Sequence, residues 1–161
     1  MLIGIDGRAL VGPQAGSGRY VTELCRVLDH ALPRARFVVY SNRPVELPVE
    51  SGRWAWRGEQ EGHGSRLSPF MWYVLRAGRL AAKDKVTAFW GGTNFLPLGL
   101  PRQVRAVVTV LDVVHRVFPQ SMGFKHRLAF GGFFRASLRR ADVVVSISEG
   151  TAARLAELGD R

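Results

Sequence analysis

The residues best suited to chemistry come early in the chain. Gly16-Ser17-Gly18-Arg19 follows a short apolar run, Leu2-Ile3-Gly4-Ile5-Asp6, after a polar loop. From there Val21, Leu24, Cys25, Leu28 and Leu32 recur at helical spacing, the stripe of an amphipathic helix laid on a sheet. Strand, glycine loop and helix in that order put free backbone N–H groups and a positive dipole end at a sheet edge, which suits a phosphate. Ser17 is expected to cap the helix with its hydroxyl. The same pattern serves any first βα unit, because glycine chiefly signals a permissive backbone. Both readings stay open on these residues alone.

The elements that would position this loop follow down the chain. Arg36 to Ser41 reads as a second strand and Trp54 to Trp56 as a weaker third. Phe70 to Ala82 reads as a helix, Val86 to Trp90 as a strand, and Arg105 to Leu111 as the strongest strand. Near-continuous apolar residues in that last run imply burial on both faces, as in a parallel sheet. Ser121 to Arg140 reads as a helix weakened by Gly131-Gly132, Asp142 to Ile147 as the last strand, and Ser148 to Leu158 as a final helix. Gly58 to Ser68 is polar and expected to be mobile. The fold class implied is α/β, a doubly wound, mostly parallel sheet of about six strands.

Composition narrows the partners. The chain has 161 residues, enough for one domain. No apolar run reaches the roughly 20 residues that span a bilayer, and Met1 leading straight into the first strand argues against a secretory signal. Cys25 is the single cysteine, which fits a reducing, cytosolic setting and rules out an internal disulfide or a multi-cysteine metal site. Lys and Arg number 23 against 13 acidic residues, a formal charge of +10. Such an excess suits an anionic partner or is a solvated basic surface. No nucleic-acid-binding signature accompanies it.

Motif spacing excludes several rivals. A dinucleotide fingerprint needs its glycines directly after the first strand and an acidic residue ending the second. Here Gly16 comes ten residues after Asp6, and the second strand ends Tyr40-Ser41-Asn42. Neither the phosphate-binding G-x-x-x-x-G-K-[ST] loop nor the G-x-S-x-G elbow of the α/β-hydrolases occurs.

Four stretches, in order, resemble family 4 retaining glycosyltransferases. Ile3-Gly4-Ile5-Asp6-Gly7-Arg8 with Gly16 to Leu24 looks like the family's opening. Phe89 to Pro97 looks like the strand and loop before its central motif. Val108-Thr109-Val110-Leu111-Asp112-Val113 with Phe118-Pro119 is similar to "V-T-V-H-D-L … F-P". Arg140 to Glu149 is similar to "R-A-D-x-I-I-T-V-S-E". The resemblance implies one Rossmann-like, acceptor-side half of a GT-B enzyme over residues 1–161, its donor-binding half lying outside the chain. It implies a nucleotide-sugar donor and a glycan or lipid-linked acceptor; with no His/Asp/Glu cluster at ligand spacing and no nucleic-acid signature, no metal, no cofactor and no nucleic acid are expected. The rival from another class is a non-catalytic domain that binds a membrane or a partner.

The resemblance also assigns residues. Gly16, Ser17, Gly18 and Arg19 would approach the donor diphosphate, with Asn94 in the loop before the central motif. Leu111 stands where the family has histidine, leaving Asp112 and His115 as catalytic candidates; a leucine offers no hydrogen bond. Ser148 and Glu149 read first as cap and dipole partner of the last helix, and second as substrate contacts. Aromatic residues from Phe70 to Tyr73 and at Phe124, Phe130, Phe133 and Phe134, beside Lys125, Arg127, Arg135, Arg139 and Arg140, suggest a membrane-facing surface at the inner leaflet.

Overall fold

The computed structural model describes residues 1–12, 16–59, 67–112 and 124–157, without the side chains of 124–129. The strands are β1 (Leu2–Asp6), β2 (Arg36–Tyr40), β3 (Trp54–Arg57), β4 (Ala88–Gly91), β5 (Arg105–Val110) and β6 (Val143–Ser146). The helices are α1 (Ser17–Ala31), α2 (residues 69–83), α3 (Phe124–Arg140) and α4 (Glu149–Glu157). Helix α2 passes through a π-helical stretch, Tyr73–Ala77, between Pro69–Trp72 and Gly78–Lys83. All six strands are parallel, in the order β3-β2-β1-β4-β5-β6. The protein has a Rossmann-like, doubly wound α/β fold.

Alternation along the strands divides the core between two faces. Ile3 and Ile5 of β1 join Val21 and Cys25 of α1, with Phe37, Val39 and Trp90, on one side. Phe89, Val108 and Val110 meet Trp72 and Tyr73 of α2 and Phe134 of α3 on the other. Gly4 faces this second side, where a Cβ would lie 2.5 Å from the Phe89 ring. The absent side chain lets Phe89 sit against the strand. Burial pushes the Cys25 thiol up to about 12, so this cysteine packs as a small apolar residue.

Several expectations are corrected here. Ser17 is not the cap: Gly16 holds that position at φ +52°, no side chain caps α1, and Ser17 is its first residue. Gly18 lies inside the helix and is buried, rather than in the loop. The aromatic part of the membrane-facing surface is also corrected. Trp72, Tyr73 and Phe134 are fully buried, and Phe70 stacks on Phe130 with centroids 4.4 Å apart. Their periodicity served the core because α2 and α3 both lie on the sheet. Arg135 and Arg139 are exposed. Arg140 instead donates to the Pro101 and Val104 carbonyls at 2.7 and 2.6 Å. Phe124, Lys125 and Arg127 have side chains outside the described residues, as have His115, Phe118, Pro119 and most of the Gly58 to Ser68 stretch. Gly131 and Gly132 do not interrupt α3. Among the described residues no helix is long and apolar enough to cross a membrane.

Candidate functional site

Strand order reverses between β1 and β4, and the crevice beyond the carboxyl ends of such a pair is where ligands bind in open α/β sheets. Here a buried ion pair occupies the end of β1. Asp6, the last residue of β1, is fully buried. Its Oδ1 accepts from the Arg8 backbone N–H and Nε at 3.1 and 3.0 Å, and its Oδ2 from Arg8 Nη2 at 2.7 Å. Thr93, just past β4, donates its hydroxyl to Asp6 Oδ2 at 2.7 Å. Arg8 Nη2 reaches the Thr93 carbonyl at 3.0 Å. The guanidinium lies 4.1 Å from the centroid of the Tyr73 ring, with Phe70 and Phe95 at 5.6 and 5.5 Å. Tyr73 donates its hydroxyl to the Phe95 carbonyl at 2.9 Å.

Electrostatics explain why the pair persists. Burial alone lowers the Arg8 pKa, but the charge and hydrogen bonds of Asp6 override it, and the net shift is upward. Burial first, and then the Asp6 charge, raise the Tyr73 phenol well above its ordinary value. A bidentate guanidinium–carboxylate pair under aromatic rings is a rigid plug. Sequence reading missed it, although the Asp-x-Arg spacing at the end of the first strand was visible.

Asn94, the next residue after Thr93, ties this loop to the end of β5. Asn94 adopts φ +65°. Its backbone N–H donates to the Thr109 carbonyl at 2.8 Å, and its Oδ1 accepts from the Leu111 N–H at 2.7 Å. Asn94 is therefore a positioning residue that fixes how the chain leaves β5, and it does not line the adjoining cleft.

That cleft, about 660 Å³, opens between the N-terminus of α1 and the ends of β5 and β6. Gly16, Ser17 and Tyr20 form one wall, Leu111 and Asp112 another, and Ser146 and Ile147 a third. The first backbone bond of α1 runs from the Tyr20 N–H to the Gly16 carbonyl at 3.1 Å. The amides before it have no acceptor within the helix, and with no side-chain cap they offer donors and partial positive charge to an anion. Asp112, exposed across the cleft, is an acceptor for hydroxyl groups. Leu111 is half-buried beside it.

Of the residues singled out from sequence, Gly16, Ser17, Leu111 and Asp112 thus share one cleft. Arg19 is exposed and outside its lining. Ser148 accepts from the Thr151 N–H at 3.2 Å, which makes it the cap of α4, and Glu149 is the first residue of that helix. Tyr20, Ser146 and Ile147 line the cleft without having been singled out. Among the described residues no group of His, Cys, Asp or Glu is arranged to hold a metal ion. No family model matches the chain, and no curated protein matches it.

Proposed function

We propose that this chain is the acceptor-side domain of a retaining glycosyltransferase that moves a sugar from a nucleotide-sugar donor to a glycan or lipid-linked acceptor, working on the cytoplasmic side. One observation carries the reading. The uncapped start of α1, with donors for a diphosphate, faces Asp112, an acceptor for sugar hydroxyls, across a cleft of ligand size. The four ordered motifs of the sequence support it. In such a reaction charge builds on a departing diphosphate and an oxocarbenium-like ring, and protein catalyses chiefly by positioning and electrostatics. Grip on the nucleotide falls to a second half outside residues 1–161.

The test is binding rather than turnover. Nuclear magnetic resonance titration of residues 1–161 with UDP, GDP and simple methyl glycosides is expected to shift the amides of Gly16, Ser17, Leu111 and Ser146, and Asp112→Ala is expected to weaken the glycoside. Sugar transfer by residues 1–161 alone would overturn the division of labour. Shifts confined to other faces would overturn the site. Leu111 favours the second reading, a non-catalytic binding domain, since it places an apolar side chain where the resembled family has a polar one. Under that reading glycosides bind and no added donor-binding half yields transfer.

A further inference from the structure

A parallel sheet is normally covered on both faces, yet among the described residues the α1 face is left exposed along β6. The register aligns Trp90 with Val107, Val107 with Val143, and Thr109 with Val145. On this face Val143, Val145 and Ile147 are 51%, 39% and 51% exposed. An apolar trough of about 330 Å³ runs between α1 and these strands. Its wall is the ridge Tyr20, Leu24, Leu28 and Leu32, and its floor includes Ala88, Trp90 and Val107. The floor's Thr109 hydroxyl oxygen already accepts the Trp90 indole N–H at 3.0 Å. The floor therefore asks for carbon rather than for hydrogen bonds.

We propose that this trough seats one amphipathic helix of a partner polypeptide, with an acidic flank. Three strands present a strip about 10 Å wide, one helix diameter. The ridge from Tyr20 to Leu32 runs about 18 Å, the length of a helix of roughly 12 residues. Contiguous exposed apolar residues with such a groove match helix-in-groove docking. Charge selects the flank. Arg105 lies on the same face, 82% exposed, with Asp142 only at 3.9 Å. Arg34 is exposed at the same amino-terminal edge of the sheet. A second copy of this basic chain would set like charges together. Tyr20 and Val145 line both trough and cleft, so a docked helix also completes the wall of the cleft. The inference stands apart from the sugar-transfer reading.

The probe is a ~14-residue peptide with leucine at i, i+4, i+7 and i+11 and glutamate elsewhere, beside a twin carrying lysine for glutamate. Fluorescence anisotropy is expected to show the glutamate peptide binding at least tenfold tighter than its twin. Val145→Asp should weaken it at least tenfold, Arg105→Glu should erase the preference, and the bound peptide should shift the Ser146 amide. Val143→Asp serves if Val145→Asp does not fold. Binding of neither peptide, equal binding of both, or indifference to these substitutions overturns the proposal. So does a wild-type dimer in sedimentation that Val145→Asp dissolves, since a second copy is then the occupant.

Discussion

At the β1–β4 switch point a carboxylate is buried in an ion pair, whereas between α1 and the ends of β5 and β6 a cleft stands open. Both lie on the carboxyl edge of one sheet, and both hold an aspartate just at or past a strand end. Asp6 is fully buried and matched by Arg8 and Thr93, while Asp112 is exposed in a cleft. The difference teaches that the place of a residue on the edge does not make it a ligand group. Its partners do. A carboxylate satisfied by a bidentate guanidinium has little left to offer, and a cleft with an uncapped helix start has much.

The largest test breaks the plug. Asp6→Ala strands the Arg8 guanidinium, only 13% exposed, without its counter-charge, and is expected to cost about 3–5 kcal/mol in urea unfolding. A cost under about 1 kcal/mol would mean that the crevice is as open as its neighbour. Next comes Asn94, which follows Thr93 in the chain and holds the Leu111 amide. Asn94→Ala removes the acceptor of the Leu111 N–H and leaves a Cβ residue at φ +65°; about 1–3 kcal/mol is expected. Asn94→Gly should recover the backbone share of that loss while the Leu111 amide stays displaced.

Smaller effects belong to the open cleft. Leu111→His is expected to shift stability by less than about 1 kcal/mol, because a half-buried cleft wall tolerates a polar ring. Under the proposed function, transfer by this domain joined to a donor-binding half should stay equal or rise. Unfolding would place Leu111 in the core and break its match to the family position. The smallest effect is a silence. With its thiol pushed up to about 12, Cys25 under α1 should not react with a disulfide reagent at mild alkaline pH until denaturant exposes it, since the thiolate is the nucleophile. Fast reaction in the native state would show α1, the wall of the cleft, lifting from the sheet.

Much of the fold was legible because its signals are local. The apolar run at Leu2 to Asp6 matched β1 to the residue, and the stripe from Val21 to Leu32 marked α1 and its buried side. Glycine placement was harder to read. Gly16 and Gly18 look alike in sequence, but only the first has positive φ and lines the cleft. The Phe and Trp residues of α2 and α3 show the same ambiguity, since an apolar helical stripe can face a core or a membrane equally well.

By itself the sequence determined the alternation of strands and helices, the parallel character of the sheet and the glycine-bearing turn at its edge. Each depends on residues a few positions apart, where hydrophobic period and backbone preference act. Tertiary structure alone decided which strand adjoins which, and with it that Asp6 and Arg8 meet Thr93 and that Gly16 faces Asp112. It also decided that, among the described residues, the α1 face stays exposed along β6. Ion pairing and burial are set by distance in space, and residues 85 or more positions apart become neighbours only when the strands have taken their order.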